Sequence, residues 1–231
     1  MRNFSGYSTE ALGLLSQIGA GDKAFFASHK KAYETQIATP TKAFVSDLGA
    51  ALAAGCAPGI VAVPRANGSI APINNDLRFA PDRPPYKDNL LLRFWRGSDK
   101  KLAPTLFVRI RERDVGFACG VGLDSVGLAA WREAVASDAG AELADLLKRL
   151  GQGRELETVG QELKRVPKPY ANEHPRANLL KHKSLQARWL EPVPDEIHSA
   201  AFVPYCASQL KLAVGVLDWL SNHVVVPPET D

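Results

Sequence analysis

The chain has no run approaching the roughly 18 consecutive apolar residues of a membrane-spanning helix, so no transmembrane segment is expected. Its opening, Met1-Arg2-Asn3-Phe4-Ser5, lacks the apolar core of a secretory signal, and export is not expected. Cysteine is scarce. Cys56, Cys119 and Cys206 are odd in number and far apart, which excludes a dense disulfide framework and the paired spacing of a structural zinc site. They read as buried free thiols in a reducing, cytoplasmic compartment. Standard catalytic signatures are also missing: there is no Gly-x-x-x-x-Gly-Lys-Ser/Thr loop, no His-Glu-x-x-His and no Gly-x-Ser-x-Gly. Gly151-Gln152-Gly153 opens like a dinucleotide fingerprint, but Leu156 stands at the third glycine and the segment follows a helix pattern. The five histidines show no ligand spacing, so no metal site and no cofactor is expected.

What remains is the composition of a globular domain. At 231 residues, 45% apolar and 23% charged, the chain can bury one generous core and is far from a disordered composition. One domain is expected over residues 1–226, with residues 227–231 as a disordered tail. The net charge of +3 is unevenly placed. From Lys164 to Arg188 seven cations face one acid, Glu173, so that segment carries +6 and the remainder −3. Such a stretch attracts anions, or is a solvated basic surface.

Three amphipathic helices are predicted first. Ala11, Leu14, Leu15 and Ile18 recur at helical spacing before Gly19 and Gly21. Asp22 is placed to cap a second helix burying Phe26, His29 or Lys30, Tyr33 and Ile37. Thr39-Pro40 reads as the start of a third, with Phe44, Val45, Leu48 and Leu52 buried before Gly55. The period then changes to two. Leu90–Trp95, Thr105–Arg111 and Val115–Val121 read as a meander, hence an antiparallel sheet with helices on one face. Asp124 should cap a helix carrying Leu128, Trp131 and Val135. Another follows with Leu143, Leu146, Leu147 and Leu150. Weaker strands are expected at Glu155–Val159 and Leu185–Leu190, a short helix from Pro175 to His182 between them, and one long helix from Pro204 to Leu220. The fold class is therefore α+β, an antiparallel sheet core with helices packed on it.

Two segments are too polar and too constrained to be ordinary loops. Asn74-Asn75-Asp76-Leu77-Arg78 runs through Pro81, Asp82, Arg83 and Pro84 to Pro85-Tyr86-Lys87. Leu163-Lys164-Arg165-Val166-Pro167-Lys168-Pro169-Tyr170 continues to His174-Pro175-Arg176. Both combine prolines, which fix the backbone at low entropic cost, with a tyrosine and cations.

These segments carry a resemblance. Asp76-Leu77-Arg78-Phe79, Asp82 and Pro85-Tyr86-Lys87 resemble the domain-of-unknown-function family 2461, found mainly in bacteria. Phe4-Ser5, Phe25-Phe26, His29-Lys30, Tyr33 and Pro40 are similar to its aromatic-rich opening. Leu163–Pro167 and His174-Pro175 match a further segment, and the likeness covers roughly Phe4 to His223. Asn75 stands where the family usually has an arginine, and Arg83 where it usually has lysine. The resemblance implies an α+β fold and no particular reaction.

The functional expectation is a basic pocket for a small phosphate- or carboxylate-bearing ligand, built by Arg78, Tyr86, Lys87, Arg165, Tyr170 and Arg176. Were there catalysis, His174 with Asp76 would be the acid/base pair. The alternatives are a loop pinned internally by Arg78 with Asp76 or Asp82, a non-catalytic interaction protein, and a weak, salt-sensitive association with nucleic acid. Sequence-specific nucleic-acid binding and membrane partners are not expected.

Overall fold

In the computed structural model, residues 3–78, 80, 82–161 and 163–224 are described. The expected tail at 227–231 lies outside them, as does Phe79 of the first motif. The protein is α+β. Its elements run α1 (Thr9–Ala20), α2 (Lys23–Tyr33), α3 (Thr39–Gly55), β1 (Ile60–Val61), β2 (Leu90–Arg96), β3 (Thr105–Ile110) and β4 (Asp114–Gly122). After these come α4 (Ser125–Ala136), α5 (Asp138–Leu150), β5 (Glu157–Gln161), α6 (Ala177–Leu180), β6 (His182–Pro192), α7 (Phe202–Lys211) and α8 (Val214–His223). The strands form an antiparallel six-stranded sheet in the order β1-β2-β3-β4-β6-β5. The chain divides into two compact units. The first is Met1–Phe94, Phe107–Phe117 and Leu190–Lys211; the second is Trp95–Leu106, Ala118–Trp189 and Leu212–Asp231.

In the first unit the apolar stripes of α1 and α3 behave as their spacing predicts. Ile18, Phe44, Val45, Leu48 and Leu52 are fully buried. Phe4, Phe44 and Phe202 form an aromatic cluster with ring centroids 4.9 Å (Phe4–Phe44) and 5.1 Å (Phe44–Phe202) apart. The buried Tyr7 hydroxyl shares a 3.0 Å hydrogen bond with Thr41 Oγ1, and burial pushes its pKa up. Asp22 caps α2 as predicted, accepting from the Phe25 N–H at 2.8 Å.

Two expectations for this region are corrected. The α2 stripe is only half-buried at Phe26 and Tyr33, with Ile37 alone fully inside. The third helix begins at Thr39 as expected, but Thr39 is not the cap of a separate helix. The chain passes from α2 to α3 through a π turn at Glu34–Ala38, where the Thr39 N–H reaches back to the Glu34 carbonyl. Pro40 is the cause. It has no N–H to donate, and its ring would crowd the carbonyl four residues back, so widening the turn by one residue relieves both. The Thr39 hydroxyl satisfies the same Glu34 carbonyl at 2.8 Å.

In the second unit Asp124 caps α4, accepting from the Gly127 N–H at 2.8 Å. Trp131 is fully buried, donates to the Leu179 carbonyl at 3.0 Å, and meets Trp219 edge-on at 5.8 Å. Strands β5 and β6 pair antiparallel with Glu157 opposite Arg188, and the register shifts between Val159 and Gln161. Gly160 occupies that bulge at φ 111°, where a Cβ would lie 2.0 Å from the Ser184 carbonyl oxygen; only glycine fits. The helix expected to extend to His182 stops at Leu180, and His182 already belongs to β6. The single long C-terminal helix is two, α7 and α8, separated at Leu212–Ala213. Val214-Gly215, a β-branched residue beside a glycine, supplies little propensity to carry one helix across that point. Cys119 and Cys206 are buried as expected, while Cys56 is half-buried.

Candidate functional site

In the first unit the proline-braced motif folds back on itself. Asn74 pairs with Tyr86 in an isolated antiparallel bridge, the Asn75 N–H donates to Pro85 O at 2.9 Å, and the Lys87 N–H to Ile73 O at 2.8 Å. Pro84 and Pro85 offer carbonyls but no N–H, so a side chain must complete the ladder. Asn75 does so, its amide donating to Pro84 O at 2.8 Å and to Tyr86 O at 2.9 Å. Tyr86 packs its ring 4.4 Å from Phe26.

Lys87 is the unusual member. Its ammonium donates to the carbonyls of Pro72 and Asn74 and, among the described residues, has no carboxylate in an ion pair. Burial lowers its pKa below the ordinary lysine value. A half-buried cation held only by neutral carbonyls retains one of its three donors and an uncompensated charge.

Lys87 lines an open groove of about 600 Å³ with Ser16, Asn75, Arg83, Tyr86 and Asn89. The end of α1 forms one wall and lies flush against Asp88, because a Cβ on Gly19 would come within 2.5 Å of the Asp88 Cβ. Of the expected pocket residues, Tyr86 and Lys87 line this groove. Arg78 does not line it and pairs instead with Asp76, Nε to Oδ1 at 3.0 Å and Nη2 to Oδ2 at 2.7 Å. Both side chains are largely in solvent, 79% and 53% exposed, so this is no buried pin. The Arg78 guanidinium, helped by its backbone N–H, holds the Asp76 carboxyl down at about 2.

The remaining candidates belong to the second unit. Arg165 is exposed and Tyr170 half-buried. Arg176 closes the C-terminus of α4, with Nε donating to Val135 O at 2.6 Å and Nη2 to Ala136 O at 3.0 Å and Ser137 O at 2.9 Å. A cation at that end satisfies orphan carbonyls and complements the helix dipole. His174 accepts the Arg176 N–H on Nδ1 at 3.0 Å, which makes it a turn-forming residue. In the basic segment Arg188 forms a bidentate pair with Glu157 at 2.8 and 2.9 Å. No described group of three His, Cys, Asp or Glu side chains is arranged to hold a metal.

Sequence reasoning missed Ser16, Arg83 and Asn89 as groove residues. Arg83 was visible inside the motif as its one cation with a proline immediately after it. Ser16 and Asn89 carried no signal, because only the meeting of α1 with the loop brings them together.

The sequence model described as Conserved hypothetical protein (DUF2461) matches residues 15–219. The chain belongs to the DUF2461 family. The DUF2461 match takes in both proline-rich motifs and all six strands. No curated protein and no solved structure matches the chain. None of the described helices is long and apolar enough to cross a membrane.

Proposed function

We propose that the protein binds a small anionic ligand, phosphate- or carboxylate-bearing, in the groove beside Lys87. The observation that carries this reading is the half-buried Lys87 ammonium with two carbonyls and no carboxylate as partners. An anion supplies the missing charge and the third acceptor, and the gain is larger than at a fully hydrated lysine. Arg83 also lines the groove; its side chain has no hydrogen bond or ion pair within the described residues and adds a second, planar donor set. Asn89 and Ser16 offer neutral donors, and Tyr86 gives an aromatic side.

The reading is of a binding protein first. Asp76 and His174, the residues suited to proton transfer, are each engaged elsewhere: Asp76 with Arg78, His174 with the Arg176 N–H. The three thiols fit a reducing compartment, and we place the protein in the cytoplasm.

A thermal-shift series tests this with phosphate, sulfate, acetate and sugar phosphates at constant ionic strength. Wild type should gain melting temperature with at least one of them, and Lys87→Met should melt within a few degrees of wild type yet gain nothing. Equal gains in both proteins would remove Lys87 from any site.

A further inference from the structure

A second surface of the first unit adjoins the groove at Leu91 and Asp88 but rests on different observations. Alternation along the strands sends Leu92, Phe94, Val108, Ile110, Val115 and Phe117 inward, all 0–1% exposed. Helices cover that face: Phe94 lies 3.9 Å from the Cβ position of Gly49 on α3, and Phe117 is 6.3 Å from the Tyr205 ring on α7. The opposite face carries Leu91, Arg93, Phe107, Arg109 and Arg111, all half-buried, and Leu190, 58% exposed. The Arg96 N–H donates to Pro104 O at 2.9 Å, which sets Arg93 opposite Phe107. The Arg111 N–H donates to Asp114 O at 2.9 Å, setting Arg109 opposite Gly116, whose Cβ position lies 3.1 Å from Leu190. An aromatic ring, two leucines and three arginines therefore share one face.

The arginines are not equivalent. Arg109 pairs with Asp114 at 2.9 Å and Arg111 lies 3.5 Å from Asp88. Arg93 has no side-chain hydrogen bond or ion pair among the described residues; its Nε is buried without a hydrogen-bond partner, as are those of Arg109 and Arg111, so the missing carboxylate is what sets it apart. A guanidinium so placed demands a planar acceptor, and the leucines and phenylalanine beside it demand apolar cover.

We propose that this face docks a peptide segment carrying one carboxylate between apolar side chains, the carboxylate on Arg93 and the apolar groups on Leu91, Phe107 and Leu190. Charge complementarity selects this occupant. With Asp88 and Asp114 neutralising two arginines the face nets only +1. That suits a single carboxylate and is too little for a polyanion, which is held through several phosphates. A second copy of the chain, seated face to face, would set Arg93 against arginine.

The test selects random displayed peptides on the full chain and measures the enriched ones against wild type, Arg93→Gln, Leu190→Glu and Lys87→Met. Expected are sequences with an Asp or Glu flanked by apolar residues. Their affinity should fall about tenfold or more in Arg93→Gln and in Leu190→Glu, return in part in Arg93→Lys, and stay unchanged in Lys87→Met. The two surface variants should melt as wild type does, which separates lost docking from lost folding. The proposal is overturned by failure to enrich any peptide, or by peptides that lack the acid or bind Arg93→Gln equally. A single-stranded oligonucleotide that displaces the peptides and depends on Arg93 also overturns it, as does a dimer in sedimentation that Leu190→Glu dissolves.

Discussion

The two proline-rich motifs are built from the same ingredients and do opposite things with their charge. In the second unit, Arg176 meets the three carbonyls at the end of α4, and its own N–H fixes His174. Its charge is complemented internally by a helix terminus. In the first unit, Lys87 meets two carbonyls of a loop, and an open groove walled on one side by the C-terminal end of α1 lies alongside. The one cation closes a helix end, and the other stands at the edge of an open groove. Residue type alone does not distinguish the two.

The comparison breaks first at Arg176. Arg176→Ala should strip three carbonyls of a charged donor and cost about 3 kcal/mol in denaturant unfolding, with any anion stabilisation of the protein retained. A loss within experimental error would mean that water replaces the guanidinium and that the contrast is false.

A smaller effect is expected from His182, which is 4% exposed, lies 6.5 Å ring to ring from Trp131, and has an unpartnered Nδ1. Burial lowers its folded-state pKa, against a weaker raising by the Ser184 backbone. The unfolded chain, titrating near 6.5, therefore takes up its proton first, so the contribution is complete above about pH 6.5 and is lost as pH falls through the folded value. Unfolding free energy measured across that window should decline on acidification, and His182→Gln should flatten the slope. An unchanged slope in the variant would assign the decline to other groups.

Arg78→Ala should give the smallest change. The Asp76–Arg78 pair is exposed, so the melting temperature should be indistinguishable from wild type, while the Asp76 carboxyl, followed by NMR, should rise from about 2 to the ordinary carboxylate range. A destabilised protein would show that the pair braces the loop after all.

Much of the fold was legible because the signals are local. Asp22 and Asp124 each sit three residues before the N–H they accept, and the alternation across Leu106, Val108 and Ile110 is a property of one strand. The π turn was not legible in the same way: Thr39-Pro40 is equally good as a helix start, and only continuity with α2 decides between them. The split between α7 and α8 was hidden under an apolar spacing that runs through both. For the candidate site, Tyr86 and Lys87 were readable from the prolines that fix them. The role of Arg176 was not, since its acceptors lie about 40 residues earlier in the chain, at positions 135–137. Arg93 was visible as a charge interrupting Leu90-Leu91-Leu92, but its lack of a partner is a fact of three dimensions.

The central claim is that Lys87 carries an uncompensated charge that an external anion completes. Its most direct measurement is the NMR titration of the Lys87 ammonium, without and with inorganic phosphate at equal ionic strength. The account predicts a value below the ordinary lysine range in the free protein, because burial penalises the charged form, and a rise on adding phosphate, because an anion that binds the charged form favours it. A titration that phosphate leaves unmoved, or one already at the ordinary value in the free protein, would contradict it.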